Sequence, residues 1–319
     1  MPESHPPKRP VISVTLSPKF HDDWDKLQRA LSVLTQQDQG MRTATQSTER
    51  RVTVSGMGEL HLEVICDRLV REFGVPLHVE KPTVIYLETI RKHAAAEGKY
   101  IRQVGGRGQY AHVAIELEPG DAESGYQFTN QSPEGAVPRQ FVESIDSGIQ
   151  EAMKAGVLAG EEIVDVRAVL RDGSYHVEDS NELSFKIAAS MAFKEAIRKA
   201  NPIVLEPLMS VHVVAGEDFA GAIMGDLNSR RGRIEGIEHS ANGVVIHAIA
   251  PLGELLGYHS HLRSMTQGRS SSSMQFARYE SIPNDGGSGP DEVGVPANKP
   301  KAPTQRHGAT SAKPDELFG

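Results

Sequence analysis

The sequence predicts an α+β protein built from three small units in series. Length sets the number, because 319 residues at roughly 100–200 residues per domain make two or three domains. Periodicity sets the class: segments that alternate apolar and polar residues are interleaved with segments whose apolar residues recur at helical spacing. Composition supplies the capacity to fold. With 38% hydrophobic residues and 30 glycines, the apolar share reaches the globular average and the chain can bury real cores.

The first unit covers 10–90, after an extended, proline-rich lead-in over 1–9. Ile12, Val14 and Leu16 alternate as a half-buried strand that Pro18 ends. Trp24, Leu27, Leu31 and Leu34 follow at helical spacing, with Asp22, Asp23 and Asp25 at the positive end of the dipole. There is room for a strand near 41–46, and Arg51 to Val54 reads as another, broken by Gly56 and Gly58. The next helix carries Leu62, Ile65, Cys66, Leu69 and Phe73 on one stripe, and Gly74 stops it. Val75 to Ile90 reads as the last strand. This β-α-β-β-α-β order is that of a ferredoxin-like αβ sandwich.

The second unit covers 91–207. Strands are expected over 100–104 and 110–117, separated by Gly105-Gly106-Arg107-Gly108-Gln109. Pro138 opens a helix over 138–155, which Gly156 closes. A strand follows over 163–170, then a loop, then a helix over about 181–200 in which Asp179 and Glu182 have capping-box spacing. The third unit, 208–283, repeats the first in element order: strand 209–214, helix 217–230, strands 232–239 and 243–250, helix 252–265 and strand 270–280. Residues 284–319 are rich in Gly, Pro, Ser and Lys and poor in large apolar residues. Such a segment cannot offset its ordering entropy by burial and is expected to be disordered.

Several function classes are disfavoured. A net charge of −8 does not suit a bulk nucleic-acid binder, but leaves a local RNA-facing surface open. A single cysteine excludes an internal disulfide framework and suits a reducing compartment. The sequence has neither an apolar run long enough to span a bilayer nor an N-terminal secretory signal, so a cytoplasmic location and no membrane partner are expected. No G-x-x-x-x-G-K-[ST] pattern occurs, so no P-loop is available for a triphosphate. His61 and Glu63 are expected on a helix surface rather than as metal ligands, since no second His or Cys pair stands at zinc spacing. His239, His247, His259 and His261 are expected on different faces. Cys66 reads as a small buried hydrophobe. No catalytic, cofactor or metal residues are assigned.

Three clusters carry possible binding chemistry. Gly105-Gly106-Arg107-Gly108-Gln109 forms a hairpin tip with one cation and one amide. Arg107 can reach phosphates or stack on bases, and Gln109 can bond base edges, although a plain turn fits the same residues. Arg171 to His176 forms a loop with an aromatic, an imidazole and a hydroxyl. Arg230-Arg231-Gly232-Arg233 reads equally as a solvated helix end or as a phosphate contact.

Taken together, these residues resemble the C-terminal part of translation elongation factor G over about 10–283. Ser55 to Glu63 resembles that family's third-domain signature. Gly105 to Tyr110 and Asp172 to His176 resemble its fourth-domain tip loops, and Leu205-Glu206-Pro207 the junction to its fifth domain. Gly225-Asp226-Leu227, Arg230-Arg231-Gly232, and Gly257-Tyr258 through Thr266 with Gly268-Arg269 resemble the fifth domain itself. Val104, and the order Val177-Glu178, depart from the family pattern.

The resemblance implies ferredoxin-like third and fifth domains flanking a ribosomal-protein-S5-like fourth domain. It implies a role in tRNA–mRNA translocation on the ribosome. Gly105, Gly106, Arg107, Gly108, Gln109, Tyr175 and His176 would then stand at the small-subunit decoding site, and Arg230, Arg231 and Arg233 would face large-subunit rRNA. GTP and magnesium would belong to the GTPase domain of full-length members, a possible partner half with no counterpart in this sequence. Alternatives are a stand-alone, GTP-independent ribosome-binding or protection module, or a gene fragment without function.

Overall fold

The structure, a computed structural model, describes residues 9–104, 107–240 and 243–283. The expected tail from 284, most of the lead-in, and Gly105 and Gly106 lie outside the described residues. The α+β class holds, with two sheets of equivalent strand order around a third of different design.

The first sheet follows from alternation. β1 (Ile12–Pro18) buries Ile12, Val14 and Leu16 and pairs antiparallel with β3 (Arg51–Gly56). β2 (Arg42–Gln46) forms the edge and β4 (Leu77–Val79) closes the other side, giving the order β2-β3-β1-β4. α1 (Trp24–Gln37) covers the sheet with Leu27, Ala30, Leu31 and Leu34, and α2 (Glu59–Arg71) with Leu62, Ile65 and Leu69. Each such leucine or isoleucine side chain contributes about 1.5–3 kcal/mol on burial. Cys66 is only half-buried, beside the stripe rather than in it, and burial followed by the nearby Glu63 carboxylate pushes its thiol pKa up. Phe73 lies past the helix end and packs on the core from outside.

The segment 75–90 is not one strand. It is three: β4, β5 (Thr83–Val84) on β1, and β6 (Leu87–Ile90), which pairs with a strand of the third sheet. Pro82 lacks the N–H a continuing ladder needs and separates β4 from β5, which both pair with β1; the chain crosses to the third sheet only after β5, between Val84 and Leu87.

His61 also departs from expectation. It is no free surface residue: its Nδ1 accepts the Met57 N–H at 3.0 Å and its Nε2–H donates to Asp38 Oδ2 at 2.7 Å. The accepting Nδ1 fixes the proton on Nε2. Asp38 also accepts the Gly40 N–H at 2.8 Å. Burial pushes the Asp38 pKa up, but the His61 and Gly40 bonds outweigh it and hold the carboxyl below its ordinary value.

The middle sheet has the order β7-β8-β10-β9. β7 (Ala94–Val104) and β8 (Arg107–Pro119) form a hairpin longer than expected, paired from Ala94↔Leu117 to Val104↔Arg107. β9 (Tyr126–Asn130), not anticipated, is a largely exposed edge strand parallel to β10 (Val166–Ser174). Its two apolar residues were too few to signal it. α3 (Arg139–Met153) makes the crossover, and Phe141 stacks on Phe185 of α4 (Glu182–Lys199) at 4.7 Å. α4 lies unusually close to the sheet because it presents Ala188, Ala189, Ala192 and Ala196. A Cβ on Gly98 of β7 would sit 2.0 Å from the Ala188 carbonyl, so glycine is required there. Strand β10 begins at 166, not 163, and runs through a bulge beyond Leu170 to Ser174. Its extension converts the expected loop 171–174 into strand. The cap of α4 is Asn181, whose Oδ1 accepts the Ser184 N–H at 2.9 Å, not Asp179.

The third sheet, β12 (Arg233–Ser240), β13 (Gly243–Pro251), β11 (Pro202–Ala215) and β14 (Ser270–Ser281), repeats the order of the first. α5 (Ala220–Ser229) and α6 (Tyr258–Met265) pack on it. The expected helix 252–265 breaks at Gly257, which takes φ 70°.

Between the middle and third sheets lies the joint. Glu88 of β6 is fully buried. Its carboxylate accepts the N–H groups of Val157 (2.8 Å), Leu158 (3.1 Å), Ala159 (2.8 Å) and Glu161 (3.1 Å). Its backbone bonds Glu162 and Val164, while β6 pairs β11 from Ile90↔Pro202 to Leu87↔Leu205.

Two outcomes follow. Glu88→Ala should destabilise the protein by at least about 3 kcal/mol, because it strips bonds from four part-buried N–H groups at about 1–3 kcal/mol each. Urea unfolding, with amide exchange at 157–161, would show it. For Asp38, a folded pKa below the unfolded value means stabilisation present above about pH 4 and lost as pH falls through the folded value. Asp38→Asn should therefore be less stable than the parent near neutrality, with the gap closing below about pH 4 in pH-dependent urea titrations.

Candidate functional site

The far end of the middle domain gathers the chemistry. The β7–β8 hairpin rises from the joint, and its 11-residue first strand spans about 33 Å at the usual strand rise. Beside its end lies the segment 175–181, between β10 and α4. Together they line a cleft of about 520 Å³ formed by Ile101, Arg102, Gln103, Gly108, Gln109, Tyr110, Tyr175, His176 and Asp179.

Of the expected tip residues, Gly108, Gln109, Tyr175 and His176 line this cleft, while Gly105 and Gly106 lie outside the described residues. Arg107, Gly108 and Gln109 belong to β8 itself, so their backbone is held in a ladder. Gln109 Oε1 accepts the Tyr100 hydroxyl at 3.2 Å, which leaves the amide N–H groups as its free donors. Tyr175 is 43% exposed. His176 is exposed, and its Nδ1 lies 3.3 Å from Asp179 Oδ2. Tyr110 bonds Ser174 at 2.7 Å, and the Lys99 ammonium stands 6.0 Å from the Tyr110 ring centroid. The cleft thus offers amide donors, an imidazole, an aromatic face and cations. That set suits planar, acceptor-rich groups such as nucleobases and their sugar-phosphate chain.

The arginine cluster is divided by the fold. Arg230 donates to Asp226 Oδ2 at 2.9 Å and to the Glu254 carbonyl at 2.7 Å, and lies 5.2 Å from the Tyr258 ring centroid. Asp226 also pairs with His261 at 3.2 Å, so α5 and α6 are tied together. Burial, then the Asp226 charge, pushes the Tyr258 pKa up to about 12. Arg231 ends α5 in a Schellman motif: its N–H bonds Asn228 O and that of Gly232 bonds Leu227 O. It takes φ 59° without being glycine, and its guanidinium grips the buried Glu206 of β11 with both nitrogens. Arg233, by contrast, is 63% exposed, with Glu235 at 3.6 Å.

The residues read as unreactive have identifiable partners. His239 faces Glu217, His247 faces Glu238 and His212, and His259 faces Ser272. Among the described residues, no group of three His, Cys, Asp or Glu is placed to hold a metal ion, and no helix is long and apolar enough to cross a membrane. Sequence reasoning missed Glu88 and Ser180. A lone carboxylate inside Leu87-Glu88-Thr89-Ile90 was the available signal for the first, and the Asp-Ser-Asn run before a helix for the second.

The fold defines an α+β protein with two ferredoxin-like sandwiches flanking a middle unit of different sheet order. Comparison gives the family. Residues 7–81 match Elongation Factor G, domain III; residues 82–201 match Elongation factor G, domain IV; and residues 203–287 match Elongation factor G C-terminus. A crystal structure from Thermus thermophilus is 38% identical, with a TM-score of 0.66, over 88% of this chain and 42% of that one. The chain belongs to the elongation factor G family, carries three of its non-catalytic domains, and spans less than half the length of that relative.

Arg230→Ala should cost about 2 kcal/mol in urea unfolding, since it removes a charge-assisted bond and leaves Asp226 and the Glu254 carbonyl short of a donor. Arg233→Ala should stay within about 0.5 kcal/mol of the parent.

Proposed function

We propose that this chain is the ribosome-engaging portion of an elongation-factor-G-type translocase, and that it serves tRNA–mRNA translocation by inserting the tip of its middle domain at the small-subunit decoding site. The observation that carries this reading is the convergence of Gln109, Tyr175 and His176 on one exposed cleft at the end of a long hairpin. The action is steric and hydrogen-bonding. The tip occupies the space a codon–anticodon helix would otherwise re-enter, with amide and imidazole groups meeting its sugar-phosphate and base edges.

In the third domain Arg233 is the member of the cluster best suited to large-subunit rRNA, because Arg230 and Arg231 serve the fold. The functional units on this reading are 10–90, 91–207 and 208–283. GTP and magnesium are assigned to the GTPase domain of the family and to no residue of this chain. The working compartment is the cytoplasm.

The test is competition. The purified chain should displace full-length elongation factor G from ribosomes, with an affinity that falls as salt rises. The double variant Gln109→Ala, His176→Ala should lose at least tenfold in that competition while melting at the parent temperature. An absence of competition at every salt concentration would overturn the docking reading. Competition that the double variant leaves untouched would overturn the tip assignment.

A further inference from the structure

The segment 175–181 has to be held over the cleft by something other than the sheet. The β8–β10 ladder ends at Ser174↔His112, so Tyr110 lies beyond it. Its main-chain groups are nevertheless both engaged. The Tyr110 N–H donates to the Asp179 carbonyl at 2.8 Å, and the Tyr110 carbonyl accepts the Ser180 hydroxyl at 2.7 Å. Asp179 and Ser180 thus replace the missing strand at this position.

The same hydroxyl works in both directions. While donating to Tyr110, Ser180 Oγ accepts the His176 N–H at 2.9 Å, and the Ser180 N–H returns a bond to the His176 carbonyl at 3.0 Å. The Asp179 carboxylate then faces the imidazole, with Oδ2 3.3 Å from Nδ1. It presses so close to β8 that a Cβ on Gly108 would fall 2.6 Å from Asp179 Cγ. The helix cap is supplied separately by Asn181, which leaves 179 and 180 free for this brace.

From this geometry we propose that Ser180 is a positioning residue for the tip: its hydroxyl locks the main chain of His176 to that of Tyr110 and so fixes the imidazole over the cleft. Asp179 orients the ring once the chain is locked. The proposal rests on the docking reading for its functional consequence, but not for its structural content. A hydroxyl that accepts one main-chain N–H and donates to one carbonyl cannot be replaced by a methyl group without freeing both.

The experiment compares Ser180→Ala and Ser180→Thr with His176→Ala in the full chain. Amide hydrogen exchange is read at His176 and, as an internal control, at Leu117 near the far end of β8. Ser180→Ala should speed exchange at His176 at least tenfold with Leu117 unchanged. It should also weaken competition for ribosomes by a factor similar to that of His176→Ala. Ser180→Thr, which keeps the hydroxyl, should restore both. Unchanged exchange at His176 in Ser180→Ala would overturn the proposal. So would faster exchange with full competition, if His176→Ala competes poorly. Faster exchange, rescued by Thr, in a protein whose competition neither variant affects would support the positioning of His176 and overturn the docking reading instead.

Discussion

A buried carboxylate at the root of the middle domain governs how the rest of the molecule is presented. Glu88 has no solvent exposure, and its carboxylate is met by the main-chain N–H groups of Val157, Leu158, Ala159 and Glu161. Charge-assisted bonds of this kind are about twice as strong as neutral ones. A buried carboxylate without them would be too costly to keep. The strand that carries Glu88 is also an added strand of the third sheet. One residue therefore ties a loop of the middle domain to the sheet of the next, and the hairpin that rises from this root inherits its orientation.

The same logic explains how polar residues are allotted. Arg230 and Arg231 look alike in the sequence, yet one ties α5 to α6 through Asp226 and the other ties the end of α5 to β11 through Glu206. Asp226 and Glu206 are both largely removed from water, so each needs a cation with good geometry. Arg233 sits at the start of a strand with its side chain directed to solvent. What separates scaffold from surface in this cluster is the set of carboxylates that the tertiary fold brings near, not the charge itself.

At the tip, rigidity comes from short-range main-chain bonding around exposed side chains. Gly108, Gln109, Tyr175 and His176 were legible because glycine-rich and aromatic-imidazole loops stand out by composition. Their shared cleft was not legible, because residues 109 and 176 meet only when β10 runs beside β8. The strand continuation through 171–174 was hidden by Asp172-Gly173, which reads as a turn by residue type. The ladder to β8 overrides that preference. Asp179 was read through its spacing to a helix start, Ser180 was not read at all, and the actual cap at Asn181 leaves both a different task.

By itself the sequence determined the α+β class, the repeated β-α-β-β-α-β order and the stripes that bury Leu27, Leu31, Leu62 and Leu69. Those features depend on periodicity within a few turns or strand residues. It also determined the family, because several short motifs stand in a fixed order. Tertiary structure alone decided that β6 would leave its own unit for the third sheet, that His61 would bond Asp38 rather than face solvent, and that a buried Glu88 would join two domains. Each of these joins residues far apart in the chain, and burial and hydrogen-bond satisfaction across such separations are set by how whole elements pack.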